Sequence, residues 1–175
     1  VQKVKKFDNN KKIKNIFDVL DNGKVVYATN NSIFVVTPKK EQLTNYEHIV
    51  PMKEMLSQMI LSPNNKKVAS IISSNEFWTL NVVNLIEKTA TNYKIKSDRV
   101  PLIAWGSESK KIVFSTYRHF DNEETELKIL NTSSGKVREV KEYSEKQIST
   151  VYFSPDNKHI VYILNGKEIR VITIK

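Results

Sequence analysis

The residues of this 175-residue chain that invite a chemical reading are three histidines, a carboxylate cluster and one aromatic–basic quartet. His48, His119 and His159 fall in an outer-strand connection, a loop and a turn-to-strand junction. No two of them have metal-ligand spacing. Asp121, Glu123, Glu124 and Glu126 crowd together as cation ligands do, but they lack the alternating Asp/Asn pattern around a central Gly and read as a solvated loop. There is no nucleophile elbow, no Gly-rich phosphate loop and no His-Glu-x-x-His. Zero cysteines exclude disulfides, thiol catalysis and Cys-based metal sites. Asn30-Asn31-Ser32 and Asn131-Thr132-Ser133 match the glycosylation triplet, which an Asn-rich chain supplies by chance. What remains is Tyr117-Arg118-His119-Phe120. Aromatic and Arg side chains on a loop are the residue types enriched where proteins bind one another. The expectation is a non-catalytic binding surface with no cofactor and no metal.

The elements that would position this quartet are strands. Val, Ile, Thr, Tyr and Phe are well supplied, and no run approaches the roughly 18 apolar residues of a membrane helix. Charge is lopsided, with 28 Lys and Arg against 19 Asp and Glu, a formal +9. That permits nucleic acid, anionic lipid or an acidic partner. The basic residues are scattered as pairs, as at Lys39-Lys40 and Lys110-Lys111, rather than gathered in a stripe, so they read first as a strand coating that keeps edges from pairing.

The clearest unit is the stretch from Phe153 to Ile174. A Ser154-Pro155-Asp156-Asn157 turn leads to an apolar run, then an Asn165-Gly166 hairpin turn and an alternating strand. The unit recurs upstream, where Leu61-Ser62-Pro63-Asn64-Asn65-Lys66 matches Phe153 to Lys158 at a distance of 92 residues. Between the two lies Trp105-Gly106-Ser107-Glu108, a degenerate form of the turn, and Leu20-Asp21-Asn22 is another. Aligned second strands place Val25, Val68, Ile112 and Ile160 in equivalent positions, 43, 44 and 48 residues apart. This is the period of a four-stranded propeller blade. Pro sets the first central torsion of such a turn, and the flanking Ser, Asp or Asn bonds its amides.

The Ser-Pro turn and its echo resemble the "F-S-P-D-G-K" mark of TolB-like, WD40-like (PD40-type) propeller repeats, with Asn in place of the usual Gly. The Gly-His and Trp-Asp marks of WD40 repeats proper are missing. The resemblance implies an all-β propeller of four blades, at about 13–50, 56–97, 98–143 and 147–175, the last completed by residues 1–7. The alternative is a fragment of a larger propeller. It also implies a protein-binding scaffold, a setting in or beyond a bacterial envelope, or a propeller that caps a separate peptidase domain. A basic surface for nucleic acid or an anionic polymer is the further alternative.

In that frame Val25, Val68, Ile112 and Ile160 should be buried between blades, and Trp78 and Trp105 should pack there too. Three of the four second-to-third-strand connections are minimal, namely Asn30-Asn31, Ser73 to Asn75, and Asn165-Gly166. The third unit alone has a long one, Tyr117 to Glu124, and this places Tyr117, Arg118, His119 and Phe120 on an exposed loop.

Overall fold

A computed structural model describes residues 13–19, 23–29, 32–39, 42–51, 55–73, 77–119, 124–144 and 147–174. Among them are fifteen strands in four antiparallel sheets, and within each sheet the strands pair in sequence order. The first sheet holds β1 (Ile13–Val19), β2 (Val25–Thr29), β3 (Ser32–Lys39) and β4 (Gln42–Pro51). The second holds β5 (Met55–Leu61), β6 (Lys67–Ser73), β7 (Trp78–Asn84) and β8 (Thr89–Ile95). The third holds β9 (Ile103–Trp105), β10 (Lys111–Arg118), β11 (Glu124–Asn131) and β12 (Val137–Ser144). The fourth holds β13 (Ile148–Phe153), β14 (His159–Leu164) and β15 (Glu168–Thr173). The Val1–Phe7 segment expected to complete the fourth sheet lies outside the described residues.

Sheet stacks on sheet, and alternation along each strand sends side chains to two different interfaces. In β6, Val68 and Ile72 meet Val26 and Val35 of the first sheet, while Ala69 and Ile71 meet Ile112 and Phe114 of the third. In β10 the next residue over, Val113, joins Leu127 and Ile129 against Val151, Ile160 and Tyr162 of the fourth sheet. Burial on both sides is why the middle of β6 and β10 is an unbroken apolar or small-residue run rather than an alternating one. Val68, Ile112 and Ile160 are buried as expected. Val25 differs and is half-buried. Its neighbour Val26 is the residue that packs on the second sheet, so Val25 falls on the opposite face. Trp105 is buried between the second and third sheets and its Nε1 donates to the Ile60 carbonyl across that interface at 3.3 Å.

The Ser-Pro turns share one hydrogen-bond skeleton. The Ser62 amide donates to the Lys67 carbonyl and the Asn65 amide to the Ser62 carbonyl, both at 2.8 Å. The Ser62 hydroxyl accepts from the Lys67 amide and donates to Asn64, whose Oδ1 takes the Lys66 amide. Ser154, Asp156, Asn157 and His159 repeat every one of these bonds. Gly106, Ser109 and Lys111 repeat the backbone part. The fourth turn residue sits at φ of 57°, 58° and 56° in Asn65, Ser109 and Asn157. This is the left-handed region, which explains why the family motif has Gly there and why Asn is the accepted substitute.

The turns also bond to one another. The Asn64 amide donates to Ser109 Oγ at 3.0 Å, linking the second sheet to the third. Asn157 Oδ1 accepts the Ser107 amide at 2.7 Å and its Nδ2 donates to Ser107 Oγ at 2.6 Å, linking the third to the fourth. Ser107 Oγ in turn donates to the Pro155 carbonyl at 2.7 Å. A Cβ at position 106 would stand 2.7 Å from Asn157 Oδ1, so this close approach requires Gly106. Third-to-fourth-strand turns are capped by a second recurring residue. Asn84 accepts the amides of Ile86 and Glu87, and Asn131 accepts those of Ser133 and Ser134.

Candidate functional site

The connection expected to be long is shorter than its sequence suggested. β10 continues through Arg118 and β11 opens at Glu124, so Tyr117 and Arg118 belong to a strand rather than a loop. They therefore point to opposite sides of the sheet. Tyr117 is 8% exposed, a correction to its expected exposure, and faces the fourth sheet beside Ser115. Arg118 is exposed and faces the other way, with Nη2 3.6 Å from Glu126 Oε2. His119 is exposed. Its ring lies on the Tyr117 side, nearly parallel to that ring at 6.4 Å between centroids. Phe120, Asp121 and Glu123 lie outside the described residues.

Glu126, expected in a solvated loop, is buried. It accepts from Lys128 Nζ and Thr116 Oγ1, each at 2.7 Å. Burial opposes its ionisation, but the hydrogen bonds from Lys128 and Thr116, with the charges of Lys128 and Arg118, outweigh that and hold its carboxyl below the usual 4.5. Its lone pairs are committed to structure. Among the described residues no three His, Asp or Glu side chains gather as metal ligands.

Between the third and fourth sheets a cleft of about 200 Å³ opens beside Tyr117. Ser97, Arg99 and Val100 line it from the segment entering β9, and Gln147, Ile148 and Ser149 from the start of β13. Leu102, Ser115, Thr116 and Thr125 complete the wall. Backbone bonds fix the rim. The Tyr117 amide donates to Ser97 Oγ at 2.9 Å, the Asp98 amide to the Tyr117 carbonyl at 2.8 Å, and the His119 amide to Asp98 Oδ2 at 2.6 Å. The Arg99 guanidinium carbon then stands over the Tyr117 ring, 4.0 Å from its centroid. A guanidinium held this way is worth about 0.5–1 kcal/mol at an exposed site, and its N–H edge stays available to a carboxylate.

Sequence reading singled out Tyr117 and His119 but missed Ser97, Arg99, Gln147 and Ser149. Ser97, Arg99 and Gln147 sit in the joints between successive sheets, and Ser149 sits at the start of β13. The available signal was topological. In an up-and-down meander the joints open on the same side as the second-to-third-strand connections.

One other constellation has the composition of a hydrolase triad. His159 Nδ1 is 3.6 Å from Asp156 Oδ1, and Ser154 is adjacent. The Ser154 hydroxyl, however, donates to Asp156 rather than to the imidazole, and it accepts the His159 backbone amide. The same bonds recur at Ser62 with Asn64, where no acid or base is present. This is turn architecture. Asp156 is held below its ordinary value first by the Ser154 hydroxyl, then by the Lys158 amide.

No family model matches the sequence, and no curated protein matches it. Solved structures do. An uncharacterized protein from Listeria monocytogenes superposes with a TM-score of 0.68 at 14% identity, over 98% of this chain and 57% of the other. TolB from Acinetobacter baumannii superposes at 0.59 and 12%, over 89% and 39%. One of two prolyl endopeptidases studied for their inter-domain dynamics superposes at 0.64 and 12%, over 91% and 26%. The chain thus spans between about a quarter and three fifths of the length of these proteins. At such identities the likeness is one of fold, and the fold is that of the TolB-like β-propellers.

Proposed function

We propose that this chain is a non-catalytic protein-binding module, and that its partner presents an acidic segment to the face bearing the cleft between the third and fourth sheets. The observation that carries this reading is the Arg99 guanidinium stacked on Tyr117 at the cleft, where the other polar lining groups are hydroxyls and one amide. Arg118 stands exposed at the same end of β10, and the chain's formal charge of +9 favours an acidic partner. Selection of a random peptide library on the purified chain tests it. Peptides rich in Asp and Glu should be enriched, and Arg99→Ala and Arg118→Ala should each weaken them by more than about 1 kcal/mol. Phe120→Ala should do the same, since it continues the quartet beyond His119. Neutral peptides, or acidic ones indifferent to all three substitutions, would sink the reading.

A second reading rests on the prolyl endopeptidase likeness, which covers 26% of that longer chain. Here the module is the propeller portion of a larger peptidase. The full coding sequence decides it, because a hydrolase domain with its own Ser, His and Asp would have to accompany this one.

A further inference from the structure

The outward face of the fourth sheet is apolar and uncovered. Tyr152, Ile169 and Val171 are 61%, 73% and 60% exposed, and Val161 and Ile163 stand beside them on β14. Pairing joins these residues into two rows, Tyr152–Val161–Val171 and Ile163–Ile169. The remaining positions on that face are Thr150, His159 and Thr173. None is Lys, Arg, Asp or Glu, in a chain that is 27% charged. A sheet face meant for water would carry its share of them.

The same positions are covered elsewhere in the molecule. Val161 and Ile163 follow Ile160 as Ala69 and Ile71 follow Val68, and those two are buried against the third sheet. The covering rows come from the second strand of the next sheet, as Ile112 and Phe114 on the second sheet, and Ile160 and Tyr162 on the third. The equivalent position of the first sheet is Val25, which is half-buried. It falls on the face opposite Val26 and Val35, which already meet the second sheet. The face of the first sheet that carries Val25 therefore continues the series of second-strand faces that cover the sheet before them, and the exposure of Tyr152, Ile169 and Val171 shows that the chain's own first sheet does not cover its fourth.

We infer that the fourth sheet packs against the first sheet of a second copy of this chain. Head-to-tail contact of this kind closes when two copies exchange it reciprocally. Two copies hold eight sheets, within the range of about four to eight of closed propellers. The first-sheet and fourth-sheet faces then continue the series of interfaces already seen between the four sheets.

Sedimentation equilibrium on the 175-residue chain tests this, with far-UV circular dichroism to confirm folding. The expected mass is twice the 20.3 kDa of one chain. Ile169→Lys with Val171→Lys should return the mass to that of one chain while the strand spectrum persists, since both residues are exposed in the single copy. Tyr152→Glu should do so independently. Val137→Lys, an exposed apolar position on β12, should leave the dimer intact. A monomeric parent chain, an open-ended polymer, or a dimer indifferent to the substitutions on the fourth sheet would each overturn the assignment.

Discussion

The bonds between successive turns can be weighed by one comparison. Asn65 and Asn157 occupy the same turn position at φ of 57° and 56°. Replacing either with Gly relieves the left-handed strain and adds backbone entropy to the unfolded chain, by the same amounts at both sites. The side chains differ. Asn157 makes two hydrogen bonds to Ser107 across the interface, and Asn65 makes none like them among the described residues. The backbone contributions cancel in the difference between the two variants. What is left is two exposed hydrogen bonds at a net of about 0.5–1 kcal/mol each, the lower part of the usual range because water can replace them. Asn157→Gly should therefore be less stable than Asn65→Gly by about 1–2 kcal/mol, read from urea unfolding at constant m-value. Equal stabilities within about 0.3 kcal/mol would show that the turns merely lie side by side.

Ile160→Ala should cost about 2–5 kcal/mol, because Ile160 is fully buried between the third and fourth sheets, whereas Val25→Ala at a half-buried position should cost less than half as much in the same assay. Glu126 predicts an acid limb to stability. Its folded pKa is depressed, so its contribution is complete above about 4.5 and is lost as pH falls through the lower, folded value. Glu126→Gln should flatten that part of the curve, and an unchanged acid limb in urea midpoints would show that other carboxylates dominate it. Gly106→Ala should fold but lose the Ser107–Asn157 bonds, at about 1–2 kcal/mol in the same assay, since its Cβ meets Asn157 Oδ1 and turns that side chain aside. Retention of full stability by this variant would mean those bonds contribute nothing.

Much of the fold was legible because its signals are local. Turn residues and the spacing of Val25, Val68, Ile112 and Ile160 located the sheets, and a Ser-Pro turn with its own bond skeleton is hard to mistake. The site was less legible. Tyr117 reads as a loop residue because a polar stretch follows it, yet alternation carries it inward and cross-strand pairing with Thr125 keeps it in β10. Arg99 carries no local signal, since its role depends on a ring eighteen residues later. Glu126 groups with Asp121 and Glu123 by proximity in sequence, but strand geometry sets it beside Thr116 and Lys128 instead. Pairs that meet across strands or between sheets leave no mark in a one-dimensional pattern.

The strict meander order, in which the strands of each sheet pair in sequence order, bears on how the chain acquires its structure. All pairing partners lie within one repeat of each other, so each sheet can close its own ladder before the next is made. Loop closure over so few residues is cheap and fast compared with the distant pairings of a Greek-key sandwich. Growth from the N-terminus, as during synthesis, would add sheets one at a time onto an existing apolar face. In a single copy the second and third sheets, buried on both sides, are then the slowest-exchanging part of the molecule and the two end sheets open first, a difference that pairing with a second copy would remove.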